Sequence, residues 1–85
     1  MVYVDNYKVG YGRMTMCHMI ADSQPELFEM VDKIGVQRKW IEDIGTNREH
    51  FNICLSKKKK AIEFGAKEVN MRELIIILRN RTYKL

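Results

Sequence analysis

The chain has 85 residues and a mass of 10.1 kDa, with 46% apolar and 31% charged residues. This size and balance predict a single domain over residues 1–85 and exclude a multi-domain enzyme. The net charge of +4 is unevenly spread. Residues 1–55 contain six basic and eight acidic side chains, whereas residues 56–85 contain nine and three. The last third is therefore a basic region that could meet an acidic partner.

The sequence has no apolar run of the roughly 20 residues that a membrane span requires. Its N-terminus also lacks the basic region and apolar stretch of a secretory signal peptide. We therefore expect a cytoplasmic protein with no membrane partner. Cys17 and Cys54 are too few for a disulfide framework, so we expect two small, buried, reduced side chains.

Four segments of the sequence have the pattern of β-strands. Residues 1–5 alternate β-branched and aromatic side chains, and residues 14–21 are apolar on both faces, which is typical of an interior strand. Residues 50–55 alternate polar with apolar side chains, and residues 66–69 form a shorter candidate. Residues 6–13 contain two glycines and no helical period, which predicts a loop.

Cap residues predict three helices. Ser23 begins the first helix and Gly35 ends it. Ser56 is the predicted N-cap of the second, which runs over residues 57–64. Asn70 begins the third, although the apolar run that follows it would also suit a buried strand.

The order of these elements predicts an α/β fold. Crossover helices would link a small, mostly parallel sheet of three or four strands, with about three helices in all. An α+β arrangement is the alternative.

Four consecutive lysines are the sharpest charge feature of the sequence. They follow Ser56 at a predicted helix N-terminus, where each cation opposes the helix dipole at a cost of about 0.3–1 kcal/mol. Free backbone N–H groups at such an end attract anions, so the lysines could complete a site for nucleic acid or another phosphate-bearing ligand. The predicted phosphate-binding residues are Ser56, Lys57, Lys58, Lys59, Lys60 and Arg79. A solvated basic turn is the alternative.

Polar residues also cluster at the ends of the predicted strands, where ligands bind in open α/β sheets. Asp5 and Asp22 could share a divalent cation, with His50 as an acid or base in phosphodiester hydrolysis. The alternatives are a turn former at Asp5, a helix-entry residue at Asp22 and core histidines. The candidate polar site comprises Asp5, His18, Asp22, His50, Asn52, Arg72 and Glu73. Apart from that cation, no cofactor is predicted.

Surplus apolar residues predict a contact surface. Ile76 and Ile77 are left over from the apolar face of the third helix, and Trp40 lies among charged residues. These three residues are the predicted interface with a protein partner or a second copy of the chain. Trp40 and Tyr83 could also offer stacking surfaces to bases.

Short segments in a specific order carry a family resemblance. They are Val2–Asp5, Cys17–Asp22, Glu26–Leu27, Ile34–Gly35, Arg38–Trp40, His50–Asn52, Lys60–Ala61, Gly65–Ala66 and Arg72–Leu74. The set resembles a family of small uncharacterised phage and bacterial proteins, domain of unknown function 4031. The resemblance implies a bacterial or phage-infected cell and no established activity. The family pattern has Asp where this chain has Asn52, which implies that any catalysis through that carboxylate is impaired here.

The sequence therefore leaves three functions open. The first is a module that binds nucleic acid or another phosphate-bearing ligand. The second is a protein-interaction module or inhibitor that acts on a host component. The third is a metal-dependent phosphodiesterase, and whether the chain is an enzyme is not decided by its residues.

Overall fold

A mixed five-stranded sheet organises residues 1–12 and 14–81, the part of the chain that the computed structural model describes. The strands are β1 Val2–Asp5, β2 Val9–Tyr11, β3 Met14–Ala21, β4 Phe51–Cys54 and β5 Lys67–Val69. The helices are α1 Gln24–Ile34, α2 Leu55–Glu63 and α3 Met71–Asn80, with a 3₁₀ turn at Arg38–Trp40. Tyr83, a predicted stacking residue, lies outside the described residues.

Strand β3 lies at the centre of the sheet, as its apolar faces predicted. It pairs antiparallel with β1 and β2 along one edge and with β4 along the other. Strand β5 extends the sheet beyond β1 and makes the one parallel pair described. The prediction of a mostly parallel sheet is therefore wrong. The short segment after β1 lets the chain reverse into β3, whereas a parallel return needs a crossover of a dozen or more residues.

The two faces of the sheet are covered differently. Helices α1 and α2 pack on the face that carries the larger hydrophobic cluster, which includes Val4, Met19 and Phe51. Helix α3 covers part of the other face through a smaller cluster of Ile20, Val69 and Leu74. Side chains alternate along β3, so His18 lies on the α3 face beside Ile20. Polar strand residues on this face lie next to α3.

The caps at α1 and α3 confirm two of the predicted helices. The Ser23 side chain accepts the N–H of Glu26, and Gly35 ends α1 in the left-handed conformation with φ of 79°. At α3, Asn70 and Glu73 form a reciprocal capping box. The apolar run after Asn70 is therefore a helix and not a buried strand.

Several predicted boundaries are wrong. Helix α2 begins at Leu55 with Cys54 as N-cap, so Ser56 lies in the first turn, where its Oγ is 3.2 Å from the Cys54 Sγ. The predicted loop 6–13 contains strand β2. His50 lies just before β4 and makes an isolated bridge with Glu42. These boundaries depend on hydrogen bonding between strands, which local sequence patterns do not reveal.

The cysteines and the helix lengths bear on the remaining predictions. Cys17 is buried, and burial raises the pKa of its thiol to about 11. Cys54 is only partly buried. Among the helices described, none is long and apolar enough to cross a bilayer.

Candidate functional site

A buried carboxylate fixes one histidine on the α3 face of the sheet. Asp5 ends β1 and is fully buried; one position before it, Val4 pairs with Met19, so Asp5 lies opposite His18. Its Oδ1 accepts the backbone N–H of His18 at 2.9 Å, and its Oδ2 lies 2.7 Å from Nδ1 of the same residue. This hydrogen bond raises the pKa of His18 against the opposing effect of burial. Because Nδ1 is engaged, Nε2 is the ring nitrogen that remains for a ligand.

A second histidine lies beside the first. Asn52 pairs with His18 across the other edge of β3, and His50 lies two positions before Asn52 on the same face. The two histidine rings are edge to face, with centroids 5.5 Å apart. The Nδ1–H of His50 donates to the Arg48 carbonyl at 2.6 Å, and its Nε2 lies 3.2 Å from a Glu42 carboxylate oxygen. Four predicted polar residues, Asp5, His18, His50 and Asn52, therefore come together.

A cavity of about 620 Å³ opens between these histidines and α3, and we call it the α3 pocket. Its residues fall into three chemical groups. The cationic or protonatable group is His18, His50, Arg48 and Arg79; the polar group is Asp43 and Asn47; the apolar group is Ile20, Met71, Leu74, Ile75 and Leu78. The pocket thus joins an apolar helix face to a cluster of groups that can carry positive charge.

Residues 42–50 form a wall of the pocket, and two buried side chains hold this loop. Glu49 is fully buried, and its Oε1 accepts from Gln24 Nε2 at 2.6 Å and from the Gly45 N–H at 3.3 Å. The buried Arg81 guanidinium donates to the carbonyls of Asn47, Glu49 and Ala21. Arg81 therefore ties the end of α3 to the loop and to the end of β3.

Comparison with known protein families gives a match that spans the whole site. The model of the family described as "Protein of unknown function (DUF4031)" matches residues 2–81. The chain belongs to this family. The match runs from β1 to Arg81 and so includes every residue of the α3 pocket. No curated protein and no solved structure matches the chain.

The structure of this DUF4031 protein separates the two aspartates that were predicted to share a cation. Val2 pairs with Ala21, so Asp22 lies beside Met1 at the other end of β1 from Asp5. At about 3.3 Å per residue, the two positions are about 13 Å apart along the strand. Asp22 Oδ2 instead accepts from the Tyr3 hydroxyl at 3.2 Å and lies 3.4 Å from the terminal amino group. No group of three or more His, Cys, Asp and Glu within the described ranges could hold a metal ion.

Of the seven predicted members of the polar site, two line the α3 pocket, His18 and His50, and Asn52, Arg72 and Glu73 do not. The Glu73 carboxylate accepts the Asn70 N–H in the capping box, which accounts for this acid. Arg72 is exposed on α3 and does not line the pocket. Helix capping therefore explains the pattern at Glu73.

The four lysines do not converge on one site. Successive helical residues point about 100° apart, so the run spreads around α2. Lys58 is largely buried and pairs with Glu68 at 2.5 Å, while Lys59 and Lys60 are exposed. Lys57 lines a second groove. Of the predicted phosphate-binding residues, Arg79 is the one that lines the α3 pocket.

The predicted interface residues also lie apart. Trp40 is exposed and lines the second groove, which has a volume of about 490 Å³. Ile76 is exposed on α3, whereas Ile77 is partly buried against the cluster around Leu74, and the place of both residues in an interface stays a prediction. Ile75 is exposed instead, because the helix turns this residue towards the pocket.

Sequence reasoning missed the loop residues of the pocket and one aromatic neighbour. The sequence gave no signal for Asp43, Asn47 and Arg48, because the segment that contains them has neither a helical nor a strand periodicity. Tyr7 stacks on His18 with centroids 5.7 Å apart and an interplanar angle of 11°. The position of Tyr7 in a glycine-containing loop after the first strand was the signal available, because such loops often carry functional residues.

Proposed function

We propose that this protein binds a phosphate-bearing ligand in the α3 pocket. One observation carries the proposal: His18, His50, Arg48 and Arg79 come from β3, the loop 42–50 and α3, yet face one cavity. Within residues 1–12 and 14–81, neither Arg48 nor Arg79 forms an ion pair, so both guanidinium groups are available to an anion. Arginine binds phosphate through two parallel N–H bonds, which suits it to this role.

The contact of His18 with Asp5 gives the proposed binding a pH dependence. The raised pKa keeps His18 protonated to higher pH than a free histidine, because Asp5 stabilises the charged ring. A protonated ring attracts phosphate and a neutral ring does not. Protonation of His18 therefore favours binding and this contribution is lost as the pH rises through its pKa, whereas the second ionisation of a phosphate ester, at about pH 6, adds ligand charge and favours binding as the pH rises.

The proposal rests on the pocket and not on the lysine run. Lys58 is engaged by Glu68, and the neighbouring lysines point in different directions. If the phosphate belongs to nucleic acid, Lys59 and Lys60 on the exposed surface would add salt-sensitive attraction and no specific contact.

Two arginines on α3 provide a matched test. Arg79→Gln and Arg72→Gln remove the same charge from the same helix, but only Arg79 lines the pocket. We expect Arg79→Gln to weaken binding of inorganic phosphate by about tenfold or more, since a hydrogen bond to a charged group contributes roughly 1.5–3 kcal/mol. Arg72→Gln should change the affinity by less than about twofold, because Arg72 does not line the pocket and acts on the ligand only through a screened charge. NMR titration of the amide resonances measures both affinities.

Equal losses in the two variants would show a general effect of charge and contradict binding in the pocket. Failure of the natural chain to bind phosphate at about 50 mM salt, where phosphate contacts are strong, would contradict the proposal altogether.

The other predicted functions rest on fewer contacts. A phosphodiesterase that uses Asp5 and Asp22 together would need carboxylates that the fold holds at opposite ends of β1. A protein partner, a host component or a second copy of the chain remains a prediction from exposed Trp40 and Ile76. The cytoplasmic setting and the phage or bacterial origin also stay predictions.

A further inference from the structure

The α3 pocket contains polar and apolar side chains that a bound phosphate group alone would not contact. Building on the proposed function, we infer that the ligand is a nucleotide, with its phosphate at His18, Arg48 and Arg79, since the His50 ring nitrogens already contact the Arg48 carbonyl and the Glu42 carboxylate. Its ribose then lies at the polar rim of Asp43 and Asn47, and its base lies against the apolar face of α3. The three groups of residues in the pocket match the three parts of a nucleotide.

The apolar wall is the first argument. Met71, Leu74, Ile75 and Leu78 recur at helical spacing and present one continuous side of α3 to the pocket. Ile75 remains 42% exposed although it lies next to Leu74, which is buried. A bare phosphate would leave this apolar surface in water, whereas the flat, weakly polar face of a base would cover it.

The polar rim is the second argument. Asp43 has a φ of 54°, the left-handed conformation that a non-glycine residue seldom adopts, and such conformations persist where the surrounding structure enforces them. The Glu42–His50 bridge closes this loop through N–H···O bonds of 2.9 and 3.1 Å. Asp43 Oδ2 lies 3.9 Å from Nδ1 of His50, close to the cationic group.

A carboxylate in that place repels phosphate but accepts hydrogen bonds from hydroxyl groups. Acidic side chains bind ribose hydroxyls in this way in dinucleotide-binding folds. A site for inorganic phosphate alone would gain nothing from Asp43. A ribonucleotide, which carries a phosphate and a diol on one sugar, uses both groups.

The size of the pocket is the third argument. At about 620 Å³ it falls within the range of about 300–1,000 Å³ that is usual for small-molecule sites. One nucleotide unit is of this class, and a phosphate ion is far smaller. The same unit could be a free mononucleotide or one residue of a single-stranded nucleic acid.

Affinities for a graded set of compounds test the inference. The set is inorganic phosphate, ribose 5-phosphate, nucleoside 5′-monophosphates and a short single-stranded oligonucleotide, each titrated into the full chain by NMR. We expect affinity to rise along the first three, with nucleotides about tenfold or more tighter than inorganic phosphate. Asp43→Asn, which also tolerates the left-handed backbone, should reduce the gain from phosphate to ribose 5-phosphate.

Adjacent residues of α3 give the matched control for the base. Ile75→Gln replaces a residue of the pocket, and Ile76→Gln replaces its neighbour, which is 51% exposed and outside the pocket. Ile75→Gln should remove most of the advantage of nucleotides over ribose 5-phosphate and leave the affinity for inorganic phosphate within about twofold. Ile76→Gln should leave all affinities unchanged. Both positions are exposed, and circular dichroism checks that α3 is retained.

The outcomes separate the two levels of the proposal. Nucleotides that bind no tighter than inorganic phosphate, or equal effects of the two glutamine variants, would overturn the inference and leave phosphate binding intact. No binding of inorganic phosphate or of any other compound in the set would overturn both. Tighter binding of the oligonucleotide with the same dependence on Ile75 supports a nucleic-acid source, and binding of mononucleotides alone supports a free nucleotide.

Discussion

Asp5→Asn is expected to lower the free energy of unfolding by about 2 kcal/mol near neutral pH, since a hydrogen bond between charged groups contributes roughly 1.5–3 kcal/mol. The carboxylate is fully buried, and its two oxygens contact the backbone N–H and Nδ1 of His18. Asparagine can still accept the backbone N–H but brings no charge to the ring. The pKa of His18 should therefore fall towards its ordinary value of about 6.5.

The pH dependence of stability follows from the same contact. In the natural chain, the pKa of His18 is higher in the folded state than in the unfolded state. Protonation of His18 therefore stabilises the fold fully below about pH 6.5, and this contribution is lost as the pH rises through the folded-state value. Urea denaturation between about pH 5 and 9 should show this decline in the natural chain and little of it in Asp5→Asn.

Asp22→Asn is the matched control. Asp22 lies at the other end of β1, where it is about half exposed and contacts Tyr3 and the terminal amino group. Its loss should cost at most about 1 kcal/mol, as for other surface ion pairs. If the two variants gave equal losses, or if Asp5→Asn kept the full pH dependence, the role assigned to Asp5 would be wrong.

Arg81→Met is expected to destabilise the fold by about 3 kcal/mol or more, because each buried carbonyl left without a donor costs roughly 1–3 kcal/mol. Methionine keeps most of the apolar stem but cannot donate to the carbonyls of Ala21, Asn47 and Glu49. The loop 42–50 should loosen as well. Faster hydrogen exchange at the amides of Glu42 and His50, which form its bridge, would report that change.

Arg72→Met is the corresponding control, since Arg72 is exposed on the same helix. It should change the free energy of unfolding by less than about 0.5 kcal/mol, as most surface substitutions do. A loss of less than about 1 kcal/mol in Arg81→Met, with unchanged exchange in the loop, would contradict the role of Arg81 in holding the pocket wall.

Local signals in the sequence predicted much of the fold. Ser23, Gly35 and Asn70 marked the ends of α1 and α3 because capping chemistry is local. The largely apolar run over residues 14–21 gave β3 with its correct bounds. The prediction of strand direction was wrong because a run of apolar residues looks the same in a parallel and an antiparallel sheet. The predicted start of α2 was wrong because Ser56 has the side-chain chemistry of an N-cap, whereas β4 leads directly into the helix with Cys54 as the N-cap.

The candidate site was predicted in part for the same reason. The sequence groups Asp5, His18, His50 and Asn52 by their places near strand ends, and the antiparallel register brings them together on one face of the sheet. The same register places Asp22 away from this site, whereas a parallel sheet would have placed it at the same edge as Asp5. Loop residues such as Arg48 could not be predicted, because tertiary contacts of Glu49 and Arg81 position them.

Titration of the two histidines tests the central claim of phosphate binding in the α3 pocket most directly. The chain contains only His18 and His50, so their ring C–H resonances can be followed by NMR without overlap from other histidines. In the presence of phosphate, both resonances should shift saturably, and the titration of His18 should move to higher pH because the bound anion stabilises the protonated ring. Titration curves that superimpose in about 50 mM phosphate and in chloride of the same ionic strength would contradict the claim, because phosphate would then bind no better than a simple anion.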